Sequence, residues 1–227
     1  MTEKTRIHQR EILIAAASVH LPGQLLLPQD AKGLVLFVHG SGSSRFSPRN
    51  QQVAAWLNEN GFGTLLFDLL TPEEHQEDSV TREHRFNIPL LAGRLMHAID
   101  HVARDAKTAG MPLGLFGAST GAAAALIAAA ARTEEVRAVV SRGGRPDLAG
   151  DALANVKAPV MLVVGGNDPQ VIDLNRRAAT RLNVQHRTVV VPGASHLFEE
   201  PGTLEAVCDL AVEWFEEWLR AGVESRT

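Results

Sequence analysis

The chain has 227 residues, 45% hydrophobic and 21% charged, with a formal net charge of −4; this is the composition of a globular protein whose core needs no staples. A mildly acidic balance argues against a dedicated nucleic-acid binder, which is normally basic. A single cysteine, Cys208, excludes an intramolecular disulfide and a cysteine-rich zinc site, and the absence of tyrosine removes that side chain from any chemistry.

Basic residues (Lys4, Arg6, Arg10) ahead of Ile12–Ala17 have the outline of a signal peptide, but Glu11 and the shortness of the apolar run favour an opening strand. No apolar segment reaches the length that spans a bilayer. The expectation is therefore one domain over residues 1–227, cytoplasmic, monomeric or homodimeric, with neither nucleic acid nor membrane as partner. Glu11 to Val19 and Gln24 to Pro28 read as an antiparallel hairpin turning at Leu21-Pro22-Gly23. Leu34 to Val38 is a continuous apolar run, as a central strand covered on both faces requires. It leads into the polar loop His39-Gly40-Ser41-Gly42-Ser43-Ser44.

Asn50 to Asn60 reads as a helix closed by Gly61, and Gly63 to Asp68 as the next strand. Thr71 to Arg85 reads as a charged, irregular excursion, and Asn87 to Lys107 as a long helix. Strand and helix then alternate: Leu113 to Gly117, Ser119 to Arg132, Val136 to Ser141, Pro159 to Val164, Val171 to Leu182, Arg187 to Val191, Leu204 to Ala221. Such alternation implies an α/β fold, a mostly parallel sheet with helices on both faces. Ligands of such sheets bind beyond the carboxyl ends of the strands. Ser119, Asp168 and His196 all fall in loops at those ends.

Ser119 stands in Gly117-Ala118-Ser119-Thr120-Gly121, between an apolar strand and an alanine-rich helix. A serine on a tight strand-to-helix turn hemmed by glycines is lifted clear of the sheet as a nucleophile. The helix that follows aims its free N–H groups at charge developing beside the serine. Asp168 follows a later strand in Gly165-Gly166-Asn167-Asp168, and His196 follows the last in Gly193-Ala194-Ser195-His196.

These segments, together with Val38-His39-Gly40, resemble the α/β-hydrolase superfamily over nearly the whole chain. More narrowly the sequence looks like its dienelactone hydrolase-like branch, small proteins without a cap domain. Dienelactone hydrolases proper carry a cysteine nucleophile, whereas this chain has Ser119. The resemblance therefore implies an esterase-like serine hydrolase more than it implies lactone ring opening. His196 is the candidate base and Asp168 its orienting acid. The backbone N–H groups of Thr120 and Ser41 are the expected oxyanion donors, each worth about 3 kcal/mol of transition-state stabilisation. No metal and no organic cofactor is needed for this acyl transfer.

Each residue has a rival role. Ser119 is also placed to cap a helix, Asp168 to be a solvated turn residue, and Asp147 is the competing acid, although it lies deeper in its loop. His39 ends a strand and is expected to order the oxyanion loop. His97 and His101 lack a third ligand and read as surface histidines. Arg45, Arg142 and Arg145 either clamp a carboxylate or phosphate of the substrate or pair with Asp147, Asp151 and nearby glutamates; the pairing role is preferred. Leu69, Leu70, Phe46, Phe86, Leu197 and Phe198 are candidate pocket walls. The expected activity is hydrolysis of small carboxylic esters, with thioesters and lactones as further acyl substrates, in an open site suited to short chains. Transfer of the acyl group to an alcohol or peroxide is the enzymatic alternative, and a non-catalytic binding protein on a hydrolase scaffold is the alternative from another class.

Overall fold

The computed structural model describes residues 7–220. Eight strands form one sheet in the order β1-β2-β4-β3-β5-β6-β7-β8, where β1 is Ile7–Ala16, β2 Val19–Pro28, β3 Leu34–Val38, β4 Gly63–Phe67, β5 Leu113–Ala118, β6 Val136–Arg142, β7 Val160–Gly165 and β8 His186–Val191. β1 and β2 pair antiparallel, β2 joins β4 antiparallel, and every later pairing is parallel. The helices are α1 Pro48–Glu59, α2 Pro72–Thr81, α3 Ile88–Arg104, α4 Thr120–Ala131, α5 Pro169–Ala179 and α6 Thr203–Trp218, with a 3-10 segment over Pro146–Asn155. This is the mostly parallel α/β sheet that the strand–helix alternation implies, in the α/β-hydrolase arrangement that the resemblance implies.

Continuous apolar runs make β3, β4, β5 and β7 wholly buried, because helices cover both faces of a parallel sheet. One face packs Leu34, Leu36, Leu115 and Val139 against α3 and α4. The other packs Phe37, Phe116, Val140 and Val163 against α1 and α6. Helix α4 is buried nearly all round, which its alanines allow: small side chains let it lie close to the sheet.

The hairpin and the charged excursion differ from expectation. The turn lies at Ala17-Ser18, with Ala17 at φ 54°, and Leu21-Pro22-Gly23 lies inside β2. Pro22 sits in the ladder opposite Leu13 while its carbonyl accepts the Asp68 N–H at 3.0 Å. A Cβ on Gly23 would stand 3.0 Å from Phe67 Cβ, so this glycine serves a close strand approach rather than a turn.

Residues 72–81 are helical, not irregular. Thr71 Oγ1 accepts the Glu74 N–H at 3.2 Å and Glu74 Oε2 accepts the Thr71 N–H at 2.9 Å, a reciprocal capping box. Glu74 also receives the guanidinium of Arg94 at 2.6 Å, and this hydrogen bonding holds its carboxyl below the usual range. No described helix is long and apolar enough to cross a membrane.

Candidate functional site

The turn from β5 into α4 is held by contacts that admit no side chain. A Cβ on Gly117 would lie 2.5 Å from Ala122 Cα, and one on Gly121 would lie 2.1 Å from the Val38 carbonyl oxygen. Between them Ser119 adopts φ 51° and ψ −122°, a conformation that costs a non-glycine residue about 1–3 kcal/mol and persists only where the surroundings enforce it. Enforcement comes from β6 and the loop after it: the Ser119 N–H donates to Arg142 O at 3.2 Å, and the Arg145 N–H donates to Ser119 O at 3.0 Å. Although Ser119 stands at the N-cap position of α4, its side chain makes no capping bond. The hydroxyl is left out of the helix, contrary to the capping role.

Asp168 and His196 meet. His196 Nδ1 and Asp168 Oδ2 are 2.7 Å apart, with the carboxylate side chain 16% exposed and the imidazole 38%. The second oxygen of Asp168 accepts the Val171 N–H at 3.4 Å and so caps α5. One carboxylate thus fixes a helix start and a ring orientation together, leaving Nε2 of the imidazole free. Asp147 is bound elsewhere, with Oδ1 and Oδ2 receiving Nε and Nη2 of Arg145 at 2.9 and 2.8 Å.

Ser119 and His196 border the same short stretch, residues 142–143. A Cβ on Gly143 would stand 3.0 Å from His196 O and 3.7 Å from its Cε1. No hydrogen bond joins the Ser119 hydroxyl to the imidazole as the side chains stand; such bonds are often long before substrate binds.

The loop after β3 lies over the turn: a Cβ on Gly40 would come within 3.0 Å of Ser119 Cβ. His39 anchors it. Its Nδ1 lies 3.0 Å from Gly40 O and its Nε2 accepts the Leu69 N–H at 3.0 Å. Burial lowers the His39 pKa, so the neutral ring with hydrogen on Nδ1 satisfies both contacts. The Ser41 N–H donates to Thr120 Oγ1 at 2.9 Å. Sequence reasoning overlooked this bond, since it needs a side chain of α4 to reach across to another loop.

The arginines separate. Arg45 pairs through backbone and guanidinium with Asp68, the backbone bond being 2.7 Å, and stacks on Phe46; Arg145 pairs with Asp147. Both order loops. Asp151 is taken by Arg181. Arg142 has none of the expected acidic partners, and it is 7% exposed.

Phe198 is a correction. It is 2% exposed and packs within the α1/α6 core, so it anchors the His196 loop instead of lining a pocket. Leu69 and Leu70 are core as well. Phe46, Phe86 and Leu197 remain exposed at the strand ends, joined by Leu148. Glu200 is a supporting residue without a sequence signal; its Oε2 accepts the Ser195 N–H at 2.9 Å and so closes the loop that carries His196.

Comparison with known proteins gives the family and the fold. A model of the dienelactone hydrolase family matches residues 21–220. The crystal structure of a dienelactone hydrolase from Anabaena variabilis superposes with a TM-score of 0.93 at 53% identity, covering 94% of this chain and 99% of that one. A dienelactone hydrolase-like promiscuous phosphotriesterase from metagenomic libraries has a TM-score of 0.75 at 17% identity, covering 95% of this chain and 99% of its own, a likeness of fold alone. Two Mycobacterium tuberculosis proteins called "putative phosphoribosyl transferase" are 53% identical over 213 residues, which is 94% of this chain and 47% of theirs. The chain spans about half the length of these curated relatives.

Proposed function

The chain belongs to the dienelactone hydrolase family, and on that premise we propose that it is a cytoplasmic serine hydrolase of small carboxylic esters. The observation that carries this reading is the strained Ser119, whose hydroxyl is withheld from the helix it begins. A capping serine has no need of φ 51°. A nucleophile does, because the turn projects Oγ beyond the sheet edge.

In the proposed reaction the imidazole of His196 takes the Ser119 proton through Nε2 as Oγ attacks the ester carbonyl. Asp168 holds Nδ1 protonated and stabilises the imidazolium. The tetrahedral oxyanion forms beside the first turn of α4, where the Thr120 N–H and the dipole end meet it. The second donor is the Ser41 N–H. In the resting protein that N–H is held by Thr120 Oγ1, so the arriving oxyanion exchanges a neutral acceptor for a charged one, and charge-assisted bonds are about twice as strong. The imidazolium then protonates the departing alcohol. Water, activated by the same base, hydrolyses the acyl-enzyme.

Substrate size follows from the rim. Phe46, Phe86, Leu148 and Leu197, in the segments that follow β3, β4, β6 and β8, stand 38–60% exposed, offering apolar contact without enclosing walls, which suits short acyl chains. A series of p-nitrophenyl esters tests this directly: turnover should fall steeply beyond short chains. Labelling by a fluorophosphonate probe should disappear in Ser119→Ala. A protein inert to the probe, or one that prefers long chains, contradicts the proposal.

A further inference from the structure

Arg142 ends β6 on the face shared with Ala138 and Val140, beneath α1 and α6. At 7% exposure it is as secluded as Arg94. The two are treated differently. Arg94 is met by both oxygens of Glu74 and by the Leu69 carbonyl. The Arg142 guanidinium meets no described carboxylate, and its Nη1 is enclosed without any hydrogen-bond partner.

The surroundings add to the imbalance. The charged group nearest in effect is Arg49 of α1, of like sign, and the facing group on α6 is the Cys208 thiol. Burial pushes that thiol up to about 12, so it stays neutral, and burial lowers Arg142 to about 10, which still leaves it charged at neutral pH. Arg49 also has an enclosed Nε without a partner, as does Oδ1 of the adjoining Asn50. Its Nη1 reaches Glu199 at 3.2 Å, in the loop that carries His196. Arg49 is thus half met, by Glu199 alone, and Arg142 is met by no described carboxylate, so one of the two positive charges stands uncompensated.

We propose that Arg142 and Arg49 form a binding site for a small oxyanion, a carboxylate or phosphate group, beneath the His196 loop. The planar fork of a guanidinium donates to two oxygens of such a group, and a second guanidinium donates to a remaining lone pair or, in a phosphate, to a third oxygen. The site is coupled to the nucleophile through the backbone, since Arg142 O accepts the Ser119 N–H. It is coupled to the histidine loop because the anion shares Arg49 with Glu199. The oxyanion arrives either free in solution or as part of an ester substrate.

Thermal unfolding with inorganic phosphate, at ionic strength held constant with chloride, tests the site whether or not Ser119 turns over an ester. The wild type should show a saturable rise of about 3–6 °C at tenfold excess over Kd. Arg142→Met should abolish the rise and Arg49→Gln should weaken it. In phosphate-free buffer Arg142→Met should melt no lower than wild type, because an apolar side chain of similar volume removes an unpaired buried charge; an arginine with a merely structural role would lower the midpoint.

No shift with phosphate or succinate in the wild type overturns the proposal. So does an undiminished shift in Arg142→Met, or failure of that variant to fold; Arg49→Gln reads the site independently. The source is separated by two esters, p-nitrophenyl butyrate and its carboxylated counterpart p-nitrophenyl hemisuccinate. A loss in Arg142→Met of about tenfold or more confined to the hemisuccinate assigns the oxyanion to the substrate, and equal turnover of both with the phosphate shift intact in wild type assigns it to a free anion.

Discussion

The two edges of the sheet hold different features. At the amino-terminal edge of the parallel strands two neighbouring clefts of about 530 and 660 Å³ open around Gly110, Met111 and Pro112. Their linings are apolar residues such as Ile99, Val102 and Phe215, with Glu134, Glu135 and Arg137 at the margin. One strained residue other than glycine lies there, Asp30 at φ 58° beside Ala31 and Lys32 of the second cleft, and Trp218 of the first has a buried Nε1 without a partner. At the carboxyl edge Ser119 is strained, Asp168 is bonded to His196, and Arg142 is charged without a partner. The clefts mark where the chain packs loosely. Neither strain nor an unmet polar group separates the edges by itself; the carboxyl edge differs in placing strain on a hydroxyl-bearing residue, Ser119, near a bonded carboxylate–imidazole pair.

The largest expected effect lies at the carboxyl edge. Ser119→Ala should reduce ester turnover by about 10⁴-fold or more with the thermal midpoint unchanged or raised; steady-state kinetics beside calorimetry checks both. Retained activity would strip the strained turn of its meaning.

Glycine substitutions compare the edges in a single measurement. Gly121→Ala drives a Cβ to within 2.1 Å of a backbone oxygen and should cost about 3 kcal/mol or more. Gly110→Ala, at φ 79° but with nothing within 4 Å, should cost about 1–2 kcal/mol of backbone strain alone. Urea titration of the two variants decides; equal costs would show that the carboxyl edge is no tighter than the other.

Thr120→Ala sharpens the account of the oxyanion loop. Only backbone donors are required for the reaction, so kcat should change by less than about threefold. The Ser41 N–H loses its resting partner, and stability should fall by about 1–2 kcal/mol. A collapse of kcat would assign the hydroxyl a direct part.

The smallest effect is in pH. Burial lowers the His39 pKa from its ordinary value of 6.5, so in the folded protein the ring resists protonation that the unfolded chain accepts. The unfolded state then binds more protons below about pH 6.5, and stability declines as pH falls from there toward the lowered folded value, by at most about 1.4 kcal/mol per pH unit. Denaturant midpoints between pH 7 and 5 measure this slope, which should flatten in His39→Gln.

Local signals made the fold and most of the site legible. Apolar runs bounded by glycine and proline gave the central strands, and the order of Ser119, Asp168 and His196 after β5, β7 and β8 gave the catalytic proposal. Local signals also misled. Pro22-Gly23 has turn chemistry but lies in a strand, because its neighbours on β1 and β4 need a residue without bulk there. The capping box at Thr71 and Glu74 is a local signal as well, obscured by the charged residues around it.

By itself the sequence determined the alternation of strand and helix and the residue types at the strand ends, since periodicity and turn chemistry act over a few neighbouring residues. Tertiary structure decided the pairings: Arg145 rather than His196 for Asp147, His196 for Asp168, Thr120 for Ser41, and no carboxylate for Arg142. Those choices depend on distances between segments far apart in the chain, and electrostatic and hydrogen-bond energies respond to the distance in space.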